Sequence, residues 1–331
     1  MKHLVENAIV VRNKTRLELL IERFNSKAQA KFYIERSGST FNEYQIEHDN
    51  FYRSLDTVRE NLAQYLKTKV IERSFLPSFI FSDNDLICVI GQDGLVANTA
   101  KYVNSLPILA INPDSLRYDG VLLPFVPDNF HQALVKVLTG SYNAKKITMA
   151  EASLNDGQKL LAFNDFFIGP SSHTSARYKI THNQSSEDQS SSGIIVSTGA
   201  GSTGWLSSLF NMANGMSNCF RPKTKTSKIS SISKSSKSSF FEDDEKIPPQ
   251  RLDWSAKELI FVVREPFRSK YSQVNITAGY VQKNLPLQIE SYMPDQGIIF
   301  SDGIEADALK FNSGSIVKIG VAKETATLVL P

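Results

Sequence analysis

Leu86-Ile87-Cys88-Val89-Ile90-Gly91-Gln92-Asp93-Gly94 joins an unbroken apolar run to a Gly-X-Asp-Gly turn. The run, framed by Asp83-Asn84-Asp85 and a glycine, predicts a strand buried on both faces, as in a parallel sheet covered by helices. The turn then falls at the strand's carboxyl end. Open α/β sheets bind ligands there, and the helix that follows offers free N–H groups. Gly91 and Gly94 allow phosphate oxygens to approach the backbone closely. Asp93 is the ionisable group of the turn, and phosphates would repel it unless it held a hydroxyl or a metal. A tight strand-to-helix turn with a capping aspartate has the same sequence, so other segments must decide.

Upstream, Ala8–Val11 reads as a strand, and Thr15-Arg16-Leu17-Glu18 has the capping-box pattern of a helix N-terminus. From Phe51, the residues Leu55, Val58, Leu62 and Tyr65 recur at helical spacing, and Phe79-Ile80-Phe81 reads as a further strand. Downstream, a helix is expected over Leu95 to Val103 and a strand over Ile108–Ile111, followed by a helix capped by Asp128 and stopped by Gly140. Strands alternating with helices predict a Rossmann-like α/β domain with a mostly parallel sheet over residues 1–143.

The pattern then changes. Strands are expected at Lys146–Leu154 and Leu160–Phe163, joined by the hairpin signal Asn155-Asp156-Gly157, and at Arg177–His182. Further short β-rich runs are Leu259–Val263, Val274–Thr277, Leu287–Glu290, Ile298–Ser301, Ser315–Val321 and Thr325–Leu330. Residues 144–331 are therefore expected to form an all-β sandwich, interrupted by one helix from Trp205 to about Asn214. Residues 221–249 are rich in Lys and Ser and bury too little apolar surface to order themselves, so a disordered insertion is expected there.

The chain has 331 residues, 41% of them apolar and 21% charged, with a net charge of +3, which is too weak a bias to indicate nucleic acid. No apolar run approaches a membrane span, and Met1–Asn7 lacks the apolar core of a signal peptide. The 2 cysteines, Cys88 and Cys219, suggest neither a disulfide framework nor a cysteine-rich metal site, so a cytoplasmic setting is expected. The 5 histidines are scattered without metal-ligand spacing.

Ile194–Trp205 carries a second glycine-rich loop, Ser197-Thr198-Gly199-Ala200-Gly201-Ser202-Thr203-Gly204, between a strand and a helix. A dehydrogenase fingerprint would need an acidic residue about 20 positions further on, where this chain has its Lys/Ser tract. What remains is a loop of hydroxyls and amides suited to phosphate or ribose oxygens, or else a structural turn. Asn164-Asp165 interrupts the apolar run Phe163–Ile168. Burial of that pair is costly without partners, so it reads as a hairpin turn or as a ligand-gripping pair.

Gly91-Gln92-Asp93-Gly94, Asn164-Asp165 and Ser197–Thr203, in this order and followed by Ser301-Asp302-Gly303, resemble the NAD kinases. The resemblance implies phosphoryl transfer from ATP or polyphosphate, with Mg²⁺, to the adenosine-ribose 2′-hydroxyl of NAD, giving NADP. It implies Asp93 as the catalytic base and a binding role for Gly91, Gln92, Gly94, Asn164, Asp165, Thr198, Gly201, Ser202 and Thr203. It also implies a homodimer or homotetramer with its site between an α/β domain and a β-sandwich; composition and charge add the expectation of no membrane or nucleic-acid partner. Gln92, Leu95, Gly199-Ala200 and Ile304 depart from the family pattern. A same-fold kinase acting on a lipid or sugar hydroxyl, or a nucleotide-binding regulator, are the alternatives.

Overall fold

The computed structural model describes residues 5–220 and 251–331. The expected insertion at 221–249 lies outside the described residues. In the first half, β1 (Asn7–Arg12) leads through α1 (Arg16–Phe24), α2 (Lys27–Arg36) and α3 (Phe41–Ala63) to β2 (Lys67–Glu72). Then come β3 (Asp85–Ile90), α4 (Asp93–Ala100), β4 (Pro107–Ile111) and α5 (Pro127–Thr139). These four strands pair in parallel in the order β2-β1-β3-β4.

Leu86–Ile90 of β3 are buried, as their sequence predicts, because both faces of the sheet are covered; Asp85, read as part of the polar frame, is buried as well. Successive side chains of a strand point to opposite faces. Leu86, Cys88 and Ile90 accordingly meet Leu55, Val58 and Leu62 of α3 and Phe130 and Leu134 of α5. Ile87 and Val89 meet Leu95, Val96 and Ala100 of α4 on the other side. Thr15 caps α1 through the expected capping box with Glu18.

The second half contributes β5 (Asn143–Leu154), β6 (Lys159–Ala162), β7 (Asp165–Pro170), β8 (Ala176–His182), β9 (Ser185–Ser191), β10 (Ile194–Ser197) and α6 (Trp205–Phe220). Beyond the undescribed residues follow β11 (Glu258–Val263), β12 (Ala278–Gln282), β13 (Leu287–Ser291), β14 (Gly297–Ser301), β15 (Ile304–Lys310) and β16 (Ile316–Leu330). The order β12-β11-β10-β7-β14-β15 forms a six-stranded antiparallel sheet. It packs on β5, β8, β13 and β16 around Tyr178, Ile180, Phe166, Phe261, Ile289 and Val317, which is the expected sandwich. β16 also pairs in parallel with β4 (Thr327 with Pro107, Leu328 with Ile108), so the parallel sheet runs on into one layer of the sandwich.

Several elements differ from the sequence expectation. Phe79-Ile80-Phe81 is not a strand; it follows a 3₁₀ turn (Arg73–Ser78), and the strand of this region is β2, whose lysines face outward at the sheet edge. α2 was not foreseen, and α3 starts ten residues before Phe51, at Phe41. The cap of α5 is Val126, whose N–H donates to Asn129 Oδ1 at 2.9 Å, while Asp128 lies within the first turn behind Pro127. Val274–Thr277 lies outside a strand, which begins instead at Ala278. β7, β9 and β15 were not foreseen, and the two last expected runs form the single strand β16, irregular between Val321 and Thr325. Among the described residues no helix is long and apolar enough to cross a membrane.

Candidate functional site

In a sheet ordered β2-β1-β3-β4, the chain leaves β1 toward one edge and β3 toward the other, which opens a crevice between their carboxyl ends. A cavity of about 110 Å³ lies there, lined by Asn13, Lys14 and Thr15 after β1, by Gly91 and Gln92 after β3, and by Tyr118. The Gly91 turn leads straight into α4, whose first N–H groups have no intrahelical acceptor. Gly91 has a φ of 157°, which side chains rarely adopt, and a Cβ there would stand 3.0 Å from Leu95 Cδ2, so the tight turn over Leu95 favours glycine. Gln92 and Gly94 are exposed. Asp93, in the first turn of α4, is partly buried and accepts hydrogen bonds from the N–H of Leu122 (Oδ1, 2.8 Å) and Val121 (Oδ2, 3.1 Å). Each of its oxygens keeps a further lone pair.

The polar pair forms a second feature. Asn164 sits in the bend before β7 and Asp165 opens that strand, 8% exposed. The bend is organised by Asp302, at the tip of the β14–β15 hairpin. Asp302 and Gly303 have φ of 54° and 70°, the left-handed geometry that a two-residue Asp-Gly hairpin turn requires. The Asp302 carboxylate accepts the N–H groups of Phe163 (3.0 Å), Asn164 (2.6 Å) and Asp165 (3.3 Å), and its own N–H donates to the Asp165 carbonyl at 3.0 Å. Among the described residues the Asp165 carboxyl has no hydrogen-bond donor. Burial, and next the nearby Asp302 charge, push its pKa up to about 7. Burial also pushes Asp302 up, against the pull of Lys101 and the three N–H groups. Two carboxyls in one enclosed bend thus disfavour both being ionised, and the three donors make Asp302 the better seat for the charge.

The second glycine loop lies beside this bend, because Ser197 of β10 pairs with Asp165 of β7. Thr198 is fully buried; its hydroxyl donates to the Phe163 carbonyl at 2.6 Å and its N–H to the Asn164 carbonyl at 2.9 Å. Ser202 donates its hydroxyl to the Gly199 carbonyl at 2.7 Å. A Cβ on Gly201 would fall 2.1 Å from the Asn164 carbonyl oxygen, and one on Gly199 2.0 Å from that of Asp253. In this loop the Thr198 and Ser202 hydroxyls are engaged with backbone, whereas Thr203 is exposed. Ala200 and Phe163 pack against the cluster that contains Leu95, Ala97 and Ala100, so the three motifs share one apolar support.

Two residues near the site were missed from the sequence as functional candidates. Asp302 lies in Ser301-Asp302-Gly303, where Asp-Gly between alternating strands is a strong hairpin signal but does not by itself show that the carboxylate gathers a distant bend. Lys101 follows α4 with its side chain 2% exposed, and its ammonium donates to Ser301 Oγ (2.7 Å) and Asp307 Oδ2 (2.8 Å). A lysine directly after a helix whose residues from Leu95 to Ala100 are buried and uncharged was the available hint.

No family model matches the chain. It is 31% identical over 163 residues to the NAD kinase of Enterobacter sp. (strain 638), covering 45% of this chain and 52% of that protein. Over 132 residues it is 33% identical to the NAD kinase of Clostridium kluyveri, covering 38% and 45%. The chain is related to the NAD kinases. It spans about half the length of the curated NAD kinases it matches. The fold is that of solved NAD kinases. Yeast NADH kinase complexed with NADH superimposes with a TM-score of 0.58 at 12% identity, over 98% of this chain and 84% of the yeast chain. An NAD kinase from Archaeoglobus fulgidus in complex with ATP gives 0.55 at 16% identity, over 97% and 92%.

Proposed function

We propose that this chain is a NAD kinase, moving the terminal phosphoryl group of ATP to the 2′-hydroxyl of the adenosine ribose of NAD and yielding NADP. The observation that carries the reading is the placement of Asp93 on the N-terminus of α4, on the same apolar support as the Asn164–Asp165 bend. Phosphoryl transfer asks mainly for positioning and charge neutralisation. The open amides around Gln92–Gly94 and the crevice beside Lys14 suit the donor's phosphates. Asn164 and Asp165 suit the acceptor, offering donors and acceptors to ribose hydroxyls.

In this reading Asp93 takes the proton of the 2′-hydroxyl, that oxygen forms a bond to the terminal phosphorus, and the bridging P–O bond breaks to release ADP. The free lone pairs of Asp93 also fit a Mg²⁺ ion arriving on ATP, since magnesium is commonly held by one or two carboxylates together with phosphates. Bound there, the ion would neutralise charge on the phosphates. Polyphosphate offers the same phosphoanhydride chemistry and is the other donor to test. A homodimer or homotetramer remains the expected assembly, measurable by light scattering.

A nucleotide-binding regulator is the second reading, favoured by the engagement of Asp93 with Val121 and Leu122 and by Gln92 in the phosphate turn. The deciding experiment incubates the purified protein with Mg²⁺, NAD and either ATP or polyphosphate and measures NADP. NADP formation supports the kinase. NAD binding without NADP from either donor supports the regulator.

A further inference from the structure

Lys101 is a buried cation. Such a charge is retained in a folded protein only when its partners compensate for the lost water, and an apolar pair of similar volume would often serve stability as well. Its partners here are specific. Ser301 ends β14 and Asp307 lies in β15, so the ammonium grips both strands of one hairpin. Tyr102 adds a hydroxyl hydrogen bond to the same Asp307 oxygen. The tip of that hairpin is Asp302, whose carboxylate gathers the N–H groups of Phe163, Asn164 and Asp165. At the other end of the linkage, Lys101 is the residue that closes α4, and α4 starts at Asp93. One helix of eight residues and one hairpin therefore connect Asp93 to the Asn164–Asp165 bend, with Lys101 as the joint.

We propose that Lys101 is a positioning residue that fixes the separation between Asp93 and the Asn164–Asp165 bend. It touches neither reactant. It acts by holding the Asp302 hairpin against the carboxyl end of α4, and its consequence for turnover rests on the NAD kinase reading above. Misplacement of two reacting groups by as little as about 1 Å can cost roughly 100-fold in rate. A loosened joint should therefore lower turnover much more than it weakens the binding of either substrate.

The test compares wild type with Lys101→Arg, Lys101→Met and the double variant Lys101→Met/Asp307→Leu, which removes both members of the ion pair so that neither is left without its partner. Three quantities are read: thermal melting, initial rates with the NAD dissociation constant, and amide hydrogen exchange of Phe163–Asp165 measured against β3. The double variant should melt cooperatively and bind NAD within about threefold of wild type, while kcat falls roughly 10–100-fold. Lys101→Arg should recover part of that loss. Exchange at Phe163, Asn164 and Asp165 should quicken by about tenfold or more while that of β3 stays unchanged. Wild-type kcat together with wild-type exchange in a folded double variant would overturn the proposal. If wild type itself makes no NADP, the kinase reading fails, and the exchange measurement still decides whether Lys101 holds the bend.

Discussion

The two glycine turns that follow buried strands, at Gly91 and at Gly199–Gly201, look alike in sequence and are built for opposite ends. The first leaves Gln92 and Gly94 exposed at the head of a helix, with space around the Gly94 Cα. The second presses its glycines onto carbonyl oxygens at 2.0 and 2.1 Å from where a Cβ would stand, and its buried hydroxyls bond to backbone. One turn offers amides outward; the other locks a neighbouring bend. Glycine content alone therefore does not separate a ligand cradle from a packing contact, and the partners of each backbone group do.

The sharpest way to break this contrast is at Asp93. Asp93→Asn should lower turnover by roughly 10²–10⁴ with little change in NAD affinity, as initial rates and calorimetric titration would show. The same change forfeits one of the two carboxylate bonds to Val121 and Leu122, so the melting temperature should also drop by a few degrees for about 1 kcal/mol. Full turnover in Asp93→Asn would make this a structural turn like the second.

Gly201→Ala comes next. A methyl group 2.1 Å from the Asn164 oxygen forces the loop off the bend, and a destabilisation of about 2–4 kcal/mol is expected by denaturant titration. A melting temperature equal to wild type would show that the second loop is free to move and not a lock.

Asp165 tests what the lock presents. Its folded pKa of about 7 lies above the usual value near 4 for an unfolded aspartate, so the folded chain keeps a proton that the unfolded chain has released. That contribution to stability is complete below about pH 4 and lost as pH rises to about 7. Asp165→Asn should remove this loss and be more stable than wild type at pH 8 by up to about 4 kcal/mol, with the gap closing toward pH 4. Asp165→Ala should raise the NAD dissociation constant by about tenfold for each 1.4 kcal/mol of hydrogen bonding removed. A gap that does not vary with pH would place the proton elsewhere.

The smallest effect belongs to Gly94→Ala. Nothing lies within 4 Å of the added methyl, and the site is in the first turn of α4, so stability should rise by up to about 0.5–1 kcal/mol. Turnover should nonetheless fall if phosphates approach this backbone, whereas unchanged kinetics would argue that the donor lies elsewhere along the crevice.

Much of this was legible because local chemistry and global position agree. The apolar run of β3, the capping box at Thr15 and the Asn-Asp-Gly hairpin each specify their element from adjacent residues. β9 was not legible, because Ser185–Ser191 is polar throughout; its inward positions are Glu187, Gln189 and Ser191, stabilised by bonds such as Asn275 N–H to Glu187 that come from a distant loop. Phe79 and Phe81 read as a strand and instead pack against each other with their rings tilted by 59°, with Lys69 over the Phe79 ring. In the site, Asp93 and Asn164–Asp165 stood out by type and context. Lys101 and Asp302 matter through partners about 140 to 200 positions away, which no window of sequence displays.

The pairing of Thr327 with Pro107 has a meaning in time as well as in space. Until β16 arrives, β4 presents an uncovered edge carrying Ile108, Leu109 and Ile111, and closing so long a loop of chain is slow. A half-made sheet of this kind attracts other strands, so early intermediates should be prone to aggregate during refolding. The strand that completes the architecture is thereby also the one that covers the edge most open to misassembly.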